Sequence, residues 1–197
     1  MASFSNMAEG LATSFVLDPR KSRFVVRASA TGLLSAFGHN PVIAIRNFQG
    51  EAWFREQALE QSSLRMVIDP SSLTITGDVS DKDRYEMERA MREDVLETDR
   101  YPEIRFESSR TGVTQLAPGF FRMRIGGTLT LHGVTRDLEI SCNVTVAEDS
   151  LRANGDFTIR QTDYQIRLVS VAGGTLKLKD ELKFSFDLVG RRNGSPG

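Results

Sequence analysis

Between Phe121 and Val146 apolar and polar residues alternate, with one interruption at His132-Gly133. Side chains along a strand point to opposite faces in turn, so Phe121, Met123, Ile125, Leu129 and Leu131 share one face. Val134, Leu138, Ile140, Cys142, Val144 and Val146 share a face on the return, while Arg122, Arg124, Thr130, Glu139, Ser141 and Asn143 fall opposite. The spacing predicts a long antiparallel hairpin with one dry face. The same rhythm resumes over Leu151, Ala153, Gly155, Phe157 and Ile159, and again over Leu178, Leu182, Phe184, Phe186 and Leu188. Such a sheet either packs its apolar face on another layer or curls until that face becomes the lumen of a barrel. Paired Gly126-Gly127 inside the longest strand suggest a bend or bulge of the kind that closes a small barrel. A local register adjustment in an open sheet is the other reading.

Only residues 81–98 break this pattern. They are rich in helix formers, with Met87, Ala90, Met91 and Val95 spaced as one apolar stripe. Ser80 is placed as the N-cap, Asp81 and Asp83 complement the first turn, and Pro102 marks a stop shortly after the end. Glu88 and Arg92 stand four apart, as an exposed pair on a helix would. The expectation is a mainly β fold, an antiparallel barrel, with this one amphipathic helix near a barrel end. Before it, Phe15 to Leu17 reads as the opening strand, Asp18-Pro19-Arg20 as a turn, and 42–54 as an extended run.

The chain has 197 residues, 40% hydrophobic and 26% charged, which suits a single domain that buries roughly 70% of its unfolded surface. Residues 1–13 read as a disordered leader, 14–190 as the domain and 191–197 as a disordered tail. With 25 basic and 26 acidic residues there is no field to hold a polyanion, so no nucleic-acid partner is expected. No stretch approaches the ~20 apolar residues of a membrane span. No basic start with an apolar core marks a signal peptide, so the sequence as it stands reads as cytoplasmic, or as periplasmic if a leader has been removed. The single Cys142 lies in the apolar phase of its strand and reads as a small buried hydrophobe.

Chemistry is sparse. Neither a nucleophile elbow nor a phosphate-binding glycine loop occurs, and two sequence-distant histidines do not make a metal site. His132 reads as a polar turn residue. His39, between Gly38 and Asn40-Pro41, reads as a strand-end cap, a ligand contact or a general base. No catalytic residue, metal or cofactor is therefore expected. The apolar phase supplies candidate lumen residues: Phe106, Phe121, Met123, Ile125, Leu129, Leu138, Ile140, Phe157, Ile159, Phe184 and Phe186, with Met87 and Met91 from the helix. Arg160, Asp163 and Tyr164, with His39 and Asn40, are candidates for a rim that holds a polar head. The same three near the strand end also read as a terminus whose Arg and Asp pair and whose Tyr covers the core edge.

Four stretches, taken together, resemble the YceI-like family. They are Phe15-Val16-Leu17-Asp18, Tyr101-Pro102-Glu103-Ile104-Arg105-Phe106-Glu107-Ser108, Gly127-Thr128-Leu129-Thr130-Leu131-His132-Gly133-Val134-Thr135, and Phe157-Thr158-Ile159-Arg160-Gln161-Thr162-Asp163-Tyr164. The resemblance spans about residues 15 to 190 and implies a lipocalin-like barrel that binds polyisoprenoids or similar long lipids. The chain departs from the family where Gln165 replaces the usual Gly after Asp-Tyr, and where Pro41 follows Gly38-His39-Asn40. The expected function is binding, transport or storage of a polyisoprenoid, quinone tail or similar amphiphile. The alternatives are a lipid-modifying enzyme using His39 at the barrel mouth, and a dimeric interaction module with a filled core.

Overall fold

In the computed structural model, which describes residues 12–31, 42–168, 170–171 and 176–194, the predicted hairpin is present in register. Its strands are β8 (Phe120–Leu131) and β9 (Val134–Val146), with Leu131 opposite Val134. His132 and Gly133, at φ 51° and 73°, make the two-residue turn between them. Positive φ at both central residues is the type I′ geometry whose twist matches paired strands. Ten further strands complete the sheet among the described residues. They are β1 (Thr13–Leu17), β2 (Arg23–Thr31), β3 (Val42–Ala44), β4 (Phe48–Phe54), β5 (Ser63–Ile68) and β6 (Thr74–Thr76) before the helix. After it come β7 (Ile104–Ala117), β10 (Ser150–Arg160), β11 (Ser170–Val171) and β12 (Leu176–Arg192).

Antiparallel pairing runs β1, β4, β5, β7, β8, β9, β10, β12 and back to β1, so eight strands close a barrel. The apolar phase of each strand turns inward, and Phe15, Phe24, Met66, Phe106, Met123, Ile140 and Leu188 are all buried in one cluster. Two residues assigned to the tail are strand instead. Arg191 and Arg192 belong to β12 and pair with Val16 and Phe15, because backbone pairing continues where two consecutive arginines erase the alternation.

The first three lines of the wall are each broken in two. β1 and β2 both run beside β12, β4 and β3 lie beside them, and β5 and β6 follow in the same order. The extended run expected over 42–54 is thus two strands separated by residues 45–47. Side chains stitch the gaps: Val189 N–H donates to Ser22 Oγ at 2.9 Å, and Asn47 Nδ2 donates to Asp69 Oδ2 at 3.3 Å.

A bulge lies opposite the glycine pair. Ser108 faces Gly127, Arg110 faces Gly126, and Ser109 is the extra residue of β7. A β-carbon on Gly127 would lie 2.7 Å from Ser108 Cα, so the close approach of the two backbones requires glycine there. The extra residue also switches phase. Phe106 is buried before it, and Thr111 rather than Arg110 turns inward after it.

The helix is shorter than the predicted 81–98. α1 spans Asp81–Ala90 and continues as one π-turn over Met91–Val95, and Glu97 then takes φ 45°. Ser80 caps it as expected, accepting from Asp83 N–H at 3.1 Å. Glu88 and Arg92 do pair, at 3.9 Å, but Glu88 is not merely a surface partner. Its Oε1 accepts Ile75 N–H at 2.8 Å, while Arg84 donates to the Ile75 carbonyl and, at 3.2 Å, to that of Val79. The helix thus satisfies β6, an edge strand whose backbone groups would otherwise face solvent.

Candidate functional site

Curling the sheet leaves a cavity of about 480 Å³ inside the barrel. That is the size of a site for a ligand of drug dimensions, roughly 300–1,000 Å³. Twelve of the thirteen lumen candidates line it. Phe106, Met123, Ile125, Leu129, Leu138 and Ile140 come from β7 to β9, and Phe157, Ile159, Phe184 and Phe186 from β10 and β12. Met87 and Met91 close it from the helix and its π-turn. Phe157 and Phe184 stand opposite each other and stack with centroids 4.6 Å apart, giving one wall a flat aromatic panel. Phe121 is the exception. It is buried, but its ring packs on Phe54 at 5.3 Å and is not among the residues that face the space.

The rim candidates divide differently. Arg160 and Asp163 lie on the exposed surface, away from the cavity lining. Tyr164 is not a rim group at all: it is 3% exposed, within the hydrophobic core. Burial pushes its phenol above the ordinary range, Asp163 adds to this, and Arg136 opposes it. The strand period could not show this, because a 3₁₀ turn over Gln161–Tyr164 replaces the strand and rotates Tyr164 inward. His39 and Asn40 lie outside the described residues.

Polar lining residues sit at the two ends. Gln161, which the sequence reading passed over, is 3% exposed and donates through Nε2 to the Lys179 carbonyl at 2.9 Å. The turn that carries it is clamped by Asp180, which accepts from Thr162 N–H at 2.9 Å and Thr162 Oγ1 at 2.7 Å. Those bonds, the backbone one first, hold the Asp180 carboxyl below the usual carboxylate range. Glu86 of α1 lines the same end and is exposed. At the opposite end Trp53, Ser62, Ser63 and Thr111 line the cavity. Cys142 lies on the wall, and burial pushes its thiol up to about 11, so it is neutral there.

The N-terminal wall, with Leu17, Phe24, Val26, Met66 and Ile68, was absent from the candidate set. Its signal is present in the alternation of Phe24, Val26 and Ala28 and of Leu64, Met66 and Ile68, but each run is short. Among the described residues no group of three or more His, Cys, Asp or Glu converges on a metal-sized space, and no helix is long and apolar enough to cross a membrane.

An antiparallel barrel closed around an apolar cavity, with one helix at its end, defines the lipocalin-like class. Residues 15–190 match the YceI-like domain, and the chain belongs to that family. No curated protein matches it in sequence. Among solved structures it is similar to BcnA of Burkholderia cenocepacia, with TM-score 0.66 and 19% identity over 88% of this chain and 98% of that one. A polyisoprenoid binding domain from Saccharophagus degradans, implicated in plant cell wall breakdown, gives TM-score 0.61 and 14% identity over 91% and 98%. The YceI protein of Campylobacter jejuni gives 0.58 and 14% over 77% and 84%.

Proposed function

We propose that the barrel binds a long apolar ligand, a polyisoprenoid chain, a quinone tail or an amphiphile of similar length, and carries or stores it out of water. The observation that supports this most directly is the continuous cavity, about 480 Å³, with a wall built almost wholly from aliphatic, aromatic and methionine side chains. An apolar void of that size does not fill with ordered water, which needs two to four polar partners. Burying a methylene is worth about 0.8 kcal/mol and a neutral hydrogen bond about 1 kcal/mol net, so chain length and girth govern affinity. Family membership and the likeness to a polyisoprenoid binding domain point the same way. The cavity weighs against the filled core of the interaction-module reading, and the enzymatic reading rests on His39, outside the described residues.

Native mass spectrometry of the purified protein, followed by extraction and identification of what leaves with it, tests the proposal. A stoichiometric long-chain lipid is the expected result. Ile125→Arg puts a charge into the wall and is expected to abolish uptake. A folded variant that still binds would overturn the assignment of the lumen.

A further inference from the structure

The charges of the cavity are as informative as its apolar wall. Among the described residues that line it, Glu86 is the one Asp, Glu, Lys, Arg or His, and it is acidic. No lysine or arginine is among them. Among the described lining residues a phosphate or carboxylate drawn into this space meets no counter-cation, and an unpaired buried charge is costly. At the end marked by Glu86 it also meets a carboxylate of its own sign.

The other end is lined by hydroxyls. Backbone pairing between β5 and β7 covers Arg65–Ile68 and Ile104–Glu107 and stops there. Beyond it, side chains bridge the strands: Leu64 N–H donates to Ser108 Oγ at 2.7 Å, and Thr111 Oγ1 donates to the Ser62 carbonyl at 2.8 Å. Ser62 and Thr111 are each 8% exposed, and Ser63, beside them, reaches the surface. Ser62 Oγ accepts Arg55 N–H at 3.1 Å and so has one proton to donate, while Thr111 Oγ1, its proton engaged, has lone pairs to accept. This arrangement donates to a carbonyl oxygen and accepts from a hydroxyl without needing charge.

We propose that the cavity selects ligands whose polar end is uncharged and carries carbonyl or hydroxyl oxygen, seated among Ser62, Ser63 and Thr111 with the chain running toward α1. This rests on the lipid-binding reading and adds the class and direction of the ligand. Three probes of one chain length separate the two claims: a polyprenol, its monophosphate and the parent hydrocarbon. The polyprenol is expected to bind more than about tenfold tighter than the monophosphate. A prenylated quinone is expected to quench Trp53, the single tryptophan, which lines this end and stands opposite Ser63. Ser62→Ala is expected to narrow the gap between polyprenol and hydrocarbon about fivefold, the value of one neutral hydrogen bond. Monophosphate binding as tight as the alcohol overturns the uncharged class. A bound quinone that leaves Trp53 unquenched overturns the direction. Failure of all three probes to bind overturns the lipid reading itself.

Discussion

Glu97, His132 and Gln165 hold φ of 45°, 51° and 58°, and all three gather at one end of the barrel. His132 Nδ1 is 3.2 Å from the Tyr164 carbonyl, which can only accept, so the neutral ring carries its proton on Nδ1. Nε2 is buried without a hydrogen-bond partner, 3.7 Å from Glu97 Oε1, and the ring lies against Tyr101 with centroids 4.4 Å apart. Gly133 packs on the same tyrosine, where a β-carbon would come within 2.5 Å of Cε1. Three of the four stretches that carried the family resemblance therefore meet in one packed corner. The sequence showed His132 as a turn residue and no more, because the tyrosine against it lies more than thirty residues away, at position 101. Left-handed φ costs a non-glycine residue about 1 kcal/mol, and glycine returns part of that by loosening the unfolded chain. Gln165→Gly is expected to stabilise the fold by about 0.5–1 kcal/mol, read as a higher urea midpoint at constant m. Cys142 gives a pH signature. Its folded thiol titrates near 11 against 9.0 for an ordinary one, so the unfolded chain loses its proton first and stability falls as pH rises through that window. At about 1.4 kcal/mol per tenfold step the loss approaches ~3 kcal/mol. Cys142→Ala should flatten the alkaline limb in urea titrations at a series of pH values.

Among the elements, α1 shows how far periodicity reaches. The cap at Ser80 and the stripe of Met87 and Met91 were legible, since both are local. The π-turn and the grip on Ile75 were not, since Arg84 and Glu88 look like any surface charges until β6 is placed beside them. Replacing them removes charge-assisted hydrogen bonds to backbone, worth ~1.5–3 kcal/mol each. Arg84→Ala with Glu88→Ala is expected to expose the Ile75 amide to rapid hydrogen exchange and to speed ligand entry and release together. Unchanged protection at Ile75 would show that the helix is held by its methionines instead. The bulge in β7 teaches a related point. Gly126-Gly127 advertised an irregularity, yet the extra residue is Ser109 on the facing strand, and a period of two continued from Ile104 and Phe106 puts Thr111 on the wrong face.

For the whole molecule, closure of the barrel was legible because four long segments repeated one phase, and that phase continued inward through β8, β9, β10 and β12. The shorter strands at the N-terminus were not, since breaks over residues 18–22, 45–47 and 69–73 cut each run before a period could be established. A ligand that fills the cavity binds the folded chain alone, and at a hundredfold excess over Kd it adds about 2.7 kcal/mol. Stripping bound lipid on a hydrophobic resin is expected to lower Tm by about 5–10 °C, and adding it back to restore the difference. An unchanged melting curve would mean that nothing had occupied the space.

Those three breaks fall side by side, so they form a crease across the wall. An unbroken ring of hydrogen-bonded strands resists widening, because any increase in girth must part a ladder along its length. A creased wall yields differently. β2, β3 and β6 form a panel joined to β12 along one margin and held at the other by two side chains of α1. Folding that panel outward would change the bore while the eight-strand closure stayed paired, a route to a wider space that an unbroken ring does not have.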